Sequence, residues 1–494
     1  MSISLSYSNL AAQTNTNIML RSKSTNKINE LEKTFTHRWV QVDLMQETIK
    51  LLKISRMLKS FSVFKLRAYS FEKILMVLVM GVFYDEKSIN SLVSHSLERM
   101  KKDVFYRLIN NSMIDWRTIL QQFVLKFLLL IKSKKGKGDE KDSGPKCLVL
   151  DDSDLKKSGE LIEGIGKIWS HVVQKQILGF KLNMLIYWDG VSTLPLDFTL
   201  HREKGKNKKM KYGLKPKRYR KQFKKKRKAA SHGQMRKKEL DQTKIESGLA
   251  MFKRAIKIGL QVDYLLLDSW FTNKAFINAV REVKGQNVHL IGMYKIVKTG
   301  FQYEGRTMTF KQIRNKQGKA KRNRRTGFYY LEAEVMLDNK PLKLFFSRKG
   351  KRGNWKLFLT TDMKLTFIQM IKIYQIRWTI EVFFKESKQL LGLGKTQSND
   401  FDAQIASITI ASIQYILLMI RLRFEEYESM GQIFRETKAE VLRIRLSERF
   451  WGLLQEIVNQ IVSFFGEIEE DEMIERLINS EKAYEKFKKI LDVA

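Results

Sequence analysis

One cysteine, four prolines and six histidines are all that this 494-residue chain has of those residue types. With Cys147 alone, no internal disulfide can form and no cysteine-rich zinc site can be built. No His-x3-His or Cys-x2-Cys pair occurs, so the usual zinc spacings are missing too. A G-x4-G-K-[ST] phosphate loop is absent, and nothing in the chain points to a nucleotide-driven step. Acidic side chains are scarce relative to basic ones: 52 Asp and Glu face 92 Lys and Arg, a net charge of +40. An excess of that size calls for a polyanionic partner, either nucleic acid or an anionic membrane. The N-terminus lacks the basic, apolar and small-residue order of a signal peptide. The most apolar long window, Ala403–Arg421, carries Gln404, Gln414 and several Ser and Thr and is barely long enough to span a bilayer. It reads as a buried helix, which leaves nucleic acid as the expected partner, no membrane, and a reducing cytoplasm as the expected compartment.

What is present is a folding composition, 43% hydrophobic, in a chain long enough for several domains. Residues 1–27 are rich in Ser, Thr and Asn and aperiodic, a loose tail. Residues 28–131 are helical in pattern. Phe71–Met80 is an apolar helix, and short helices follow around Ser88–His95 and Asp103–Asn110. That spacing suits a DNA-binding helix-turn-helix or an ordinary helical bundle, and the pattern alone favours neither. Residues 132–146 lack apolar content and read as a linker. From residue 147 to 295 the texture becomes that of alternating strands and helices. Strands are expected at Cys147–Asp152, Lys181–Tyr187, Leu194–His201, Val262–Asp268 and Val288–Tyr294, and helices at Lys244–Ile258 and Thr272–Val283. A very basic insertion, 203–240, interrupts this part. Residues 296–362 hold further β-like runs and form a β-rich subdomain, 363–395 a core helix, and 396–494 a helical C-terminal region that is a candidate for dimerisation. The fold class expected is α/β: a mixed sheet covered by helices, with a β-rich insertion and helical regions at both ends.

The chemistry concentrates in three places. Tyr374-Gln-Ile-Arg377-Trp-Thr-Ile-Glu381-Val-Phe-Phe-Lys385-Glu-Ser-Lys388 puts one carboxylate among polar and basic groups. On one continuous helix, Tyr374, Arg377, Glu381, Lys385 and Lys388 fall within about 80° of arc. A carboxylate flanked by cations suits a metal ion that must meet a phosphate, although a surface helix laced with ion pairs has the same pattern. Upstream, two apolar strands end in acids, one at Asp151-Asp152 and the other at Asp268. Carboxylates from two strand ends and a facing helix would offer hard oxygen ligands to Mg²⁺ or Mn²⁺. Strand alternation sends Asp151 and Asp152 to opposite faces, so only one of them can take part. In the basic insertion, Tyr212, Tyr219 and Phe223 stand among the lysines, a pattern suited to gripping a nucleic-acid backbone or, less directly, to stacking on bases. Trp355 is a candidate wedge against an unstacked base; a core tryptophan of the insertion is the plainer reading.

The spacing Y-x2-R-x3-E-x6-K, matched by Tyr374, Arg377, Glu381 and Lys388 without a gap, resembles the glutamate-bearing helix of bacterial insertion-sequence transposases of the DDE class, in the branch called insertion sequence four. The neighbouring Trp378 and Phe383-Phe384 are similar as well, and the resemblance covers roughly residues 147–395. It implies a ribonuclease-H-like sheet and a catalytic and metal-binding triad of Asp152, Asp268 and Glu381. Asp152 is preferred to Asp151 because the family has an acid followed by Ser or Thr, as in Asp152-Ser153. It implies DNA contacts from Tyr374, Arg377 and Lys388; Lys385, on the same helix face, is placed to grip phosphate with them, and the three acids suit two Mg²⁺ or Mn²⁺ ions. The implied activity is binding of terminal inverted repeats, metal-dependent DNA cleavage and joining of 3′ ends to target DNA, by a homodimer associated with the bacterial nucleoid. A nuclease of the same fold without strand transfer, and a non-catalytic domesticated DNA-binding protein, are the competing readings. Asp268-Ser-Trp-Phe271 departs modestly from the family pattern beside the second acid.

Overall fold

The computed structural model describes residues 69–84, 88–94, 100–134, 144–205, 207–295 and 300–442, with Leu52 and Leu58 besides. The chain divides into two compact units, one built from 48–434 and the other from 1–47 with 435–494. The expected tail, and all of the expected C-terminal region beyond residue 442, lie outside the described residues.

The first elements described in the larger unit are helices α1 (Phe71–Met80), α2 (Ile89–Ser94), α3 (Lys102–Ile109) and α4 (Trp116–Lys134). The strands β1 (Cys147–Lys156), β2 (Gly166–Ser170), β3 (Lys175–Trp188) and β4 (Thr193–His201) follow. The basic segment then folds as the short helices α5 (Pro216–Arg220) and α6 (His232–Lys238). Next come α7 (Lys244–Lys257), β5 (Tyr264–Leu267), α8 (Lys274–Arg281) and β6 (His289–Tyr294). The β-rich part holds β7 (Gly300–Tyr303), β8 (Arg306–Thr309), α9 (Phe310–Lys316), β9 (Lys321–Arg322), β10 (Phe328–Leu337), β11 (Lys340–Lys349) and β12 (Lys356–Thr360). Helices α10 (Phe367–Gln375), α11 (Trp378–Leu390) and α12 (Phe401–Phe424) complete it.

The strands form one sheet in the order β2-β3-β1-β5-β6-β12-β11-β10-β7-β8, with β4 also on β3 and β9 on β10. β1, β5 and β6 run parallel, and the remaining pairs are antiparallel. Parallel strands are covered on both faces, which is why Cys147–Leu150 and Leu265–Leu267 read as unbroken apolar runs and are fully buried. The crossover helices start where the sequence caps them. Thr243 and Glu246 close a capping box on α7, and the Asn273 side chain accepts from the first N–H groups of α8. Because β12 pairs with β6, the β-rich part is a continuation of the same sheet that carries Asp268.

Helix α12 is, among the described residues, the one helix long and apolar enough to cross a membrane. It is buried over most of its length and packs on α1, α4 and β4. Its Thr409 and Ser412 hydroxyls bond back to the Ile405 and Ile408 carbonyls, and Gln414 donates to the Val79 carbonyl of α1. Polar groups that find partners in this way tolerate a core position.

The basic segment is tied down by buried ion pairs. The Arg227 side chain is 0% exposed and reaches Glu163 (2.6 Å), Asp402 (3.0 Å) and Asp400 (3.3 Å). Lys225 bonds Asp400 and Asp402, and Lys237 bonds Glu163. Gly233 lies so close to this cluster that a Cβ there would sit 2.2 Å from an Asp402 carboxylate oxygen. Nearby, the buried Asp197 of β4 takes Arg117 from α4 and Arg254 from α7, each at 2.8 Å.

Candidate active site

The parallel register of β1 and β5 brings two acids to one end of the sheet. Leu150 is opposite Leu267, so Asp151 and Asp268 are the next residue on each strand path. Asp268 turns its Oδ1 back to accept the N–H groups of Trp270 (2.9 Å) and Phe271 (3.0 Å), while Thr272 Oγ1 donates to its carbonyl (2.6 Å). The loop after β5 is thereby fixed.

The third acid arrives from α11. Arg377 Nη1 lies 2.9 Å from Asp151 Oδ2, and its Nη2 lies 2.5 Å from Glu381 Oε1. One guanidinium therefore bridges the acid of β1 and the acid of α11. Burial, and next the neighbouring Asp268 charge, push the Asp151 carboxyl up to about 7, with Arg377 working in the opposite direction. Against the effect of burial, Tyr374, Glu381 and Asp151 hold the Arg377 guanidinium above its ordinary value.

Asp152 is not in this group. Its carboxylate faces the other side of the sheet, 2.8 Å from Lys244 Nζ at the start of α7 and 3.8 Å from Lys181 Nζ. The geometry sets Asp151, rather than the expected Asp152, on the side of the sheet that Glu381 approaches. Strand alternation separates the two acids as expected, but it is α11 rather than α7 that delivers Glu381, and Asp151 is on the α11 side.

The expected helix is also two helices. α10 ends at Gln375, α11 starts at Trp378, and Ile376 and Arg377 join them with helical dihedrals and 3₁₀-type bonds to Ile373 and Tyr374 carbonyls. Of the four residues expected to touch DNA, three spend their polar groups inside the protein. The Tyr374 hydroxyl donates to the Leu267 carbonyl (3.2 Å), its ring meets Phe358 edge-on, and burial pushes the phenol up to about 12. Arg377 serves the two acids. Lys388 donates to Ser153 Oγ (2.7 Å) and the Asp154 carbonyl (2.9 Å), locking α11 onto β1. Lys385 stands exposed.

Trp270 and Lys295 had no expected role, and neither did Lys244. The Trp270 indole is 52% exposed, with Lys244 Nζ 4.8 Å and Lys295 Nζ 4.3 Å from its ring centre. The only sequence signal was a large aromatic residue two places after a strand-end acid.

The three acids are hard oxygen donors of the kind Mg²⁺ and Mn²⁺ take. Among the described residues no three acidic, histidine or cysteine side chains lie close enough together to hold an ion as they stand, and the space between Asp151 and Glu381 is filled by the Arg377 cation. The donor set fits a divalent metal in kind, with a cation already drawn to two of its members.

Two family models match this chain. Residues 77–296, which include Asp151 and Asp268, match "DDE superfamily endonuclease". Residues 193–417, which include Asp268 and Glu381, match "Transposase DDE domain". No curated protein matches the chain at a significant level. The two matches support a transposase of the DDE type, a nuclease-class enzyme with DNA as substrate. Enzymes of this superfamily generally use divalent metals, and the large mixed sheet with its covering helices is compatible with a DDE nuclease fold.

Proposed function

We propose that this chain is an insertion-sequence transposase of the insertion sequence four branch, cutting DNA at a centre formed by Asp151, Asp268 and Glu381. The observation that carries the reading is the convergence on one guanidinium of Asp151, from the strand beside Asp268, and Glu381, from the Y-x2-R-x3-E-x6-K stretch. The order β4-β3-β1-β5-β6, with β1, β5 and β6 parallel, supports a ribonuclease-H-like core. A divalent metal held by these acids would activate a water or a 3′-hydroxyl and neutralise charge on the scissile phosphate.

The remaining work belongs to the chain's own residues. Arg377 balances Asp151 and Glu381 and holds both carboxylates at the mouth of the site. Lys388 fixes the pitch of α11 against β1, and Tyr374 fixes the end of β5. Both act by positioning the acids. The Glu381 side chain is more open to solvent than that of Asp151, 37% against 17% exposed, and a metal held by the acids would take over part of the charge that Arg377 balances here. Binding of terminal inverted repeats, joining of 3′ ends to target DNA and pairing of two protomers complete the reading.

The test is to incubate the protein and Mg²⁺ with a plasmid carrying the element's ends, mapping cut strands and joined products. Cuts at the ends followed by 3′ joining are expected. Cuts without joining would leave a nuclease of the same fold, and the absence of Mg²⁺-dependent cuts would remove the enzymatic reading.

A further inference from the structure

We infer that Trp270, Lys244 and Lys295 form a binding site for an unpaired nucleotide beside Asp268, the base on the indole and the flanking phosphates on the two ammonium groups. The inference rests on the reading of Asp151, Asp268 and Glu381 as a DNA-cutting centre.

Trp270 is an unusual residue to leave in solvent. Phe271 beside it is fully buried and Thr272 nearly so, yet the indole stands 52% exposed. The main chain that carries it is held: the Trp270 backbone N–H donates to the Asp268 carboxylate at 2.9 Å. The ring therefore projects from an anchored stretch of backbone, two residues beyond a proposed metal ligand. Its exposure costs hydrophobic burial that the neighbouring positions do not give up.

The cations around it arrive from two different elements. Lys244 opens α7 and Lys295 follows β6, and each places its ammonium over the Trp270 ring. Lys244 is also held by Asp152 at 2.8 Å, which gives that acid a task distinct from Asp151's: it positions a cation beside the indole. An ammonium has three donors, and one carboxylate contact leaves others for a phosphate.

The chemistry selects the ligand. An indole offers a π-surface to any base without regard to sequence, and ammonium groups beside it suit the phosphates on either side of that base. A paired base inside a duplex presents only its edges, so its face becomes available only where the strand is single or frayed. A DNA end opened next to the cutting site supplies such a strand.

The test uses binding alone, in the presence of a chelator so that nothing is cut. Fluorescence anisotropy would follow labelled oligo(dT), an abasic strand of the same length, and a blunt random-sequence duplex. For the unaltered protein, oligo(dT) should bind more tightly than the abasic strand. Trp270→Ala should weaken oligo(dT) by about tenfold or more, down to the abasic level, and change duplex affinity by less than about twofold. Trp270→Phe should keep most of the oligo(dT) affinity. Lys295→Ala should lower the salt slope for oligo(dT) by about one unit. Equal losses on strand and duplex, or no loss of oligo(dT) affinity in Trp270→Ala with the circular dichroism spectrum unchanged, would overturn the inference. Because no cleavage is measured, that result would leave the proposed cutting centre intact, just as inactivity with Mg²⁺ would leave this binding result standing.

Discussion

Asp151 and Asp152 are consecutive on one strand, and their carboxylates answer to different cations on opposite faces of the sheet, Arg377 at 2.9 Å and Lys244 at 2.8 Å. The first relationship couples β1 to the helix that bears Glu381, and the second couples it to the helix that leads into β5. Neighbouring acids can therefore be separated experimentally by role.

Asp151→Ala should lower Mg²⁺-dependent cleavage by about a thousandfold or more, as Asp268→Ala and Glu381→Ala should, because acids that share an ion act as a unit. Asp152→Ala should leave cleavage of a pre-opened substrate within about tenfold of the unaltered protein, since it removes a partner of Lys244 and Lys181 and no member of the proposed centre. Strand mapping on end-labelled DNA distinguishes these outcomes. A dead Asp152→Ala beside an active Asp151→Ala would restore Asp152 as the ligand.

Arg377→Ala removes the cation between Asp151 and Glu381. Two carboxylates then face each other without a positive partner, which destabilises the metal-free protein and raises its demand for another cation. Thermal melts should show a lower midpoint without metal and a larger gain on adding Mn²⁺ than in the unaltered protein. An unchanged gain would mean that the guanidinium and the metal do not compete for the same acids.

Glu386 provides a control on the register of α11. It lies five residues beyond Glu381, about 140° around the helix, and accepts a hydrogen bond from the Tyr415 hydroxyl of α12 at 3.1 Å. Glu386→Gln keeps an acceptor for that hydroxyl, so cleavage should be unchanged and stability should fall by no more than about 1 kcal/mol. Glu381→Gln should be inactive. Parallel cleavage and urea-unfolding measurements on the two variants decide it, and an inactive Glu386→Gln would shift the register.

The buried cluster around Arg227 gives a pH prediction. Although burial opposes it, hydrogen bonds from Arg227 and Lys237 hold the Glu163 carboxyl down to about 2. A folded value below the unfolded one contributes stability above the unfolded pKa of about 4.5, and that contribution drains away as pH falls toward about 2. Glu163→Gln should therefore be less stable than the unaltered protein by about 3 kcal/mol at neutral pH, with the gap closing below about pH 4.5. Unfolding curves for the pair across this range test it; a gap independent of pH would show that the carboxylate's charge is not what matters.

The strands that carry the acids were legible because two buried parallel strands must be apolar where they pair and can turn acidic where that pairing ends, although β1 itself runs on past the expected Asp152 to Lys156 against β3. Cys147–Leu150 and Leu265–Leu267 have that form. β2 and the first half of β3 were missed. Their side chains alternate around the His171–Gln174 turn without a turn dipeptide to mark it, and Gln174 takes the positive φ of 50° itself. The break between α10 and α11 was invisible because neither Pro nor Gly marks it and both joining residues keep helical dihedrals. Choosing between Asp151 and Asp152 required knowing which helix covers which face, and alternation alone says only that the faces differ. The inward bonds of Tyr374 and Lys388 were hidden for a similar reason. Two of their acceptors, the Leu267 and Asp154 carbonyls, are backbone atoms that every residue possesses, and the third is the hydroxyl of Ser153, 235 positions away from Lys388.

The Arg227 cluster also fixes an order of events during synthesis. Arg227 pairs with Glu163 upstream and with Asp402, which lies 175 positions downstream. A growing chain that has just exposed its most basic segment holds only one of the acids needed to bury that arginine. That arginine gains its full set of partners only once the first turn of α12 has been made, and Glu381 precedes that turn in the chain. Neutralising the basic stretch and completing the acidic site thus depend on residues close together late in the chain, so a chain that stops before Glu381 would have neither.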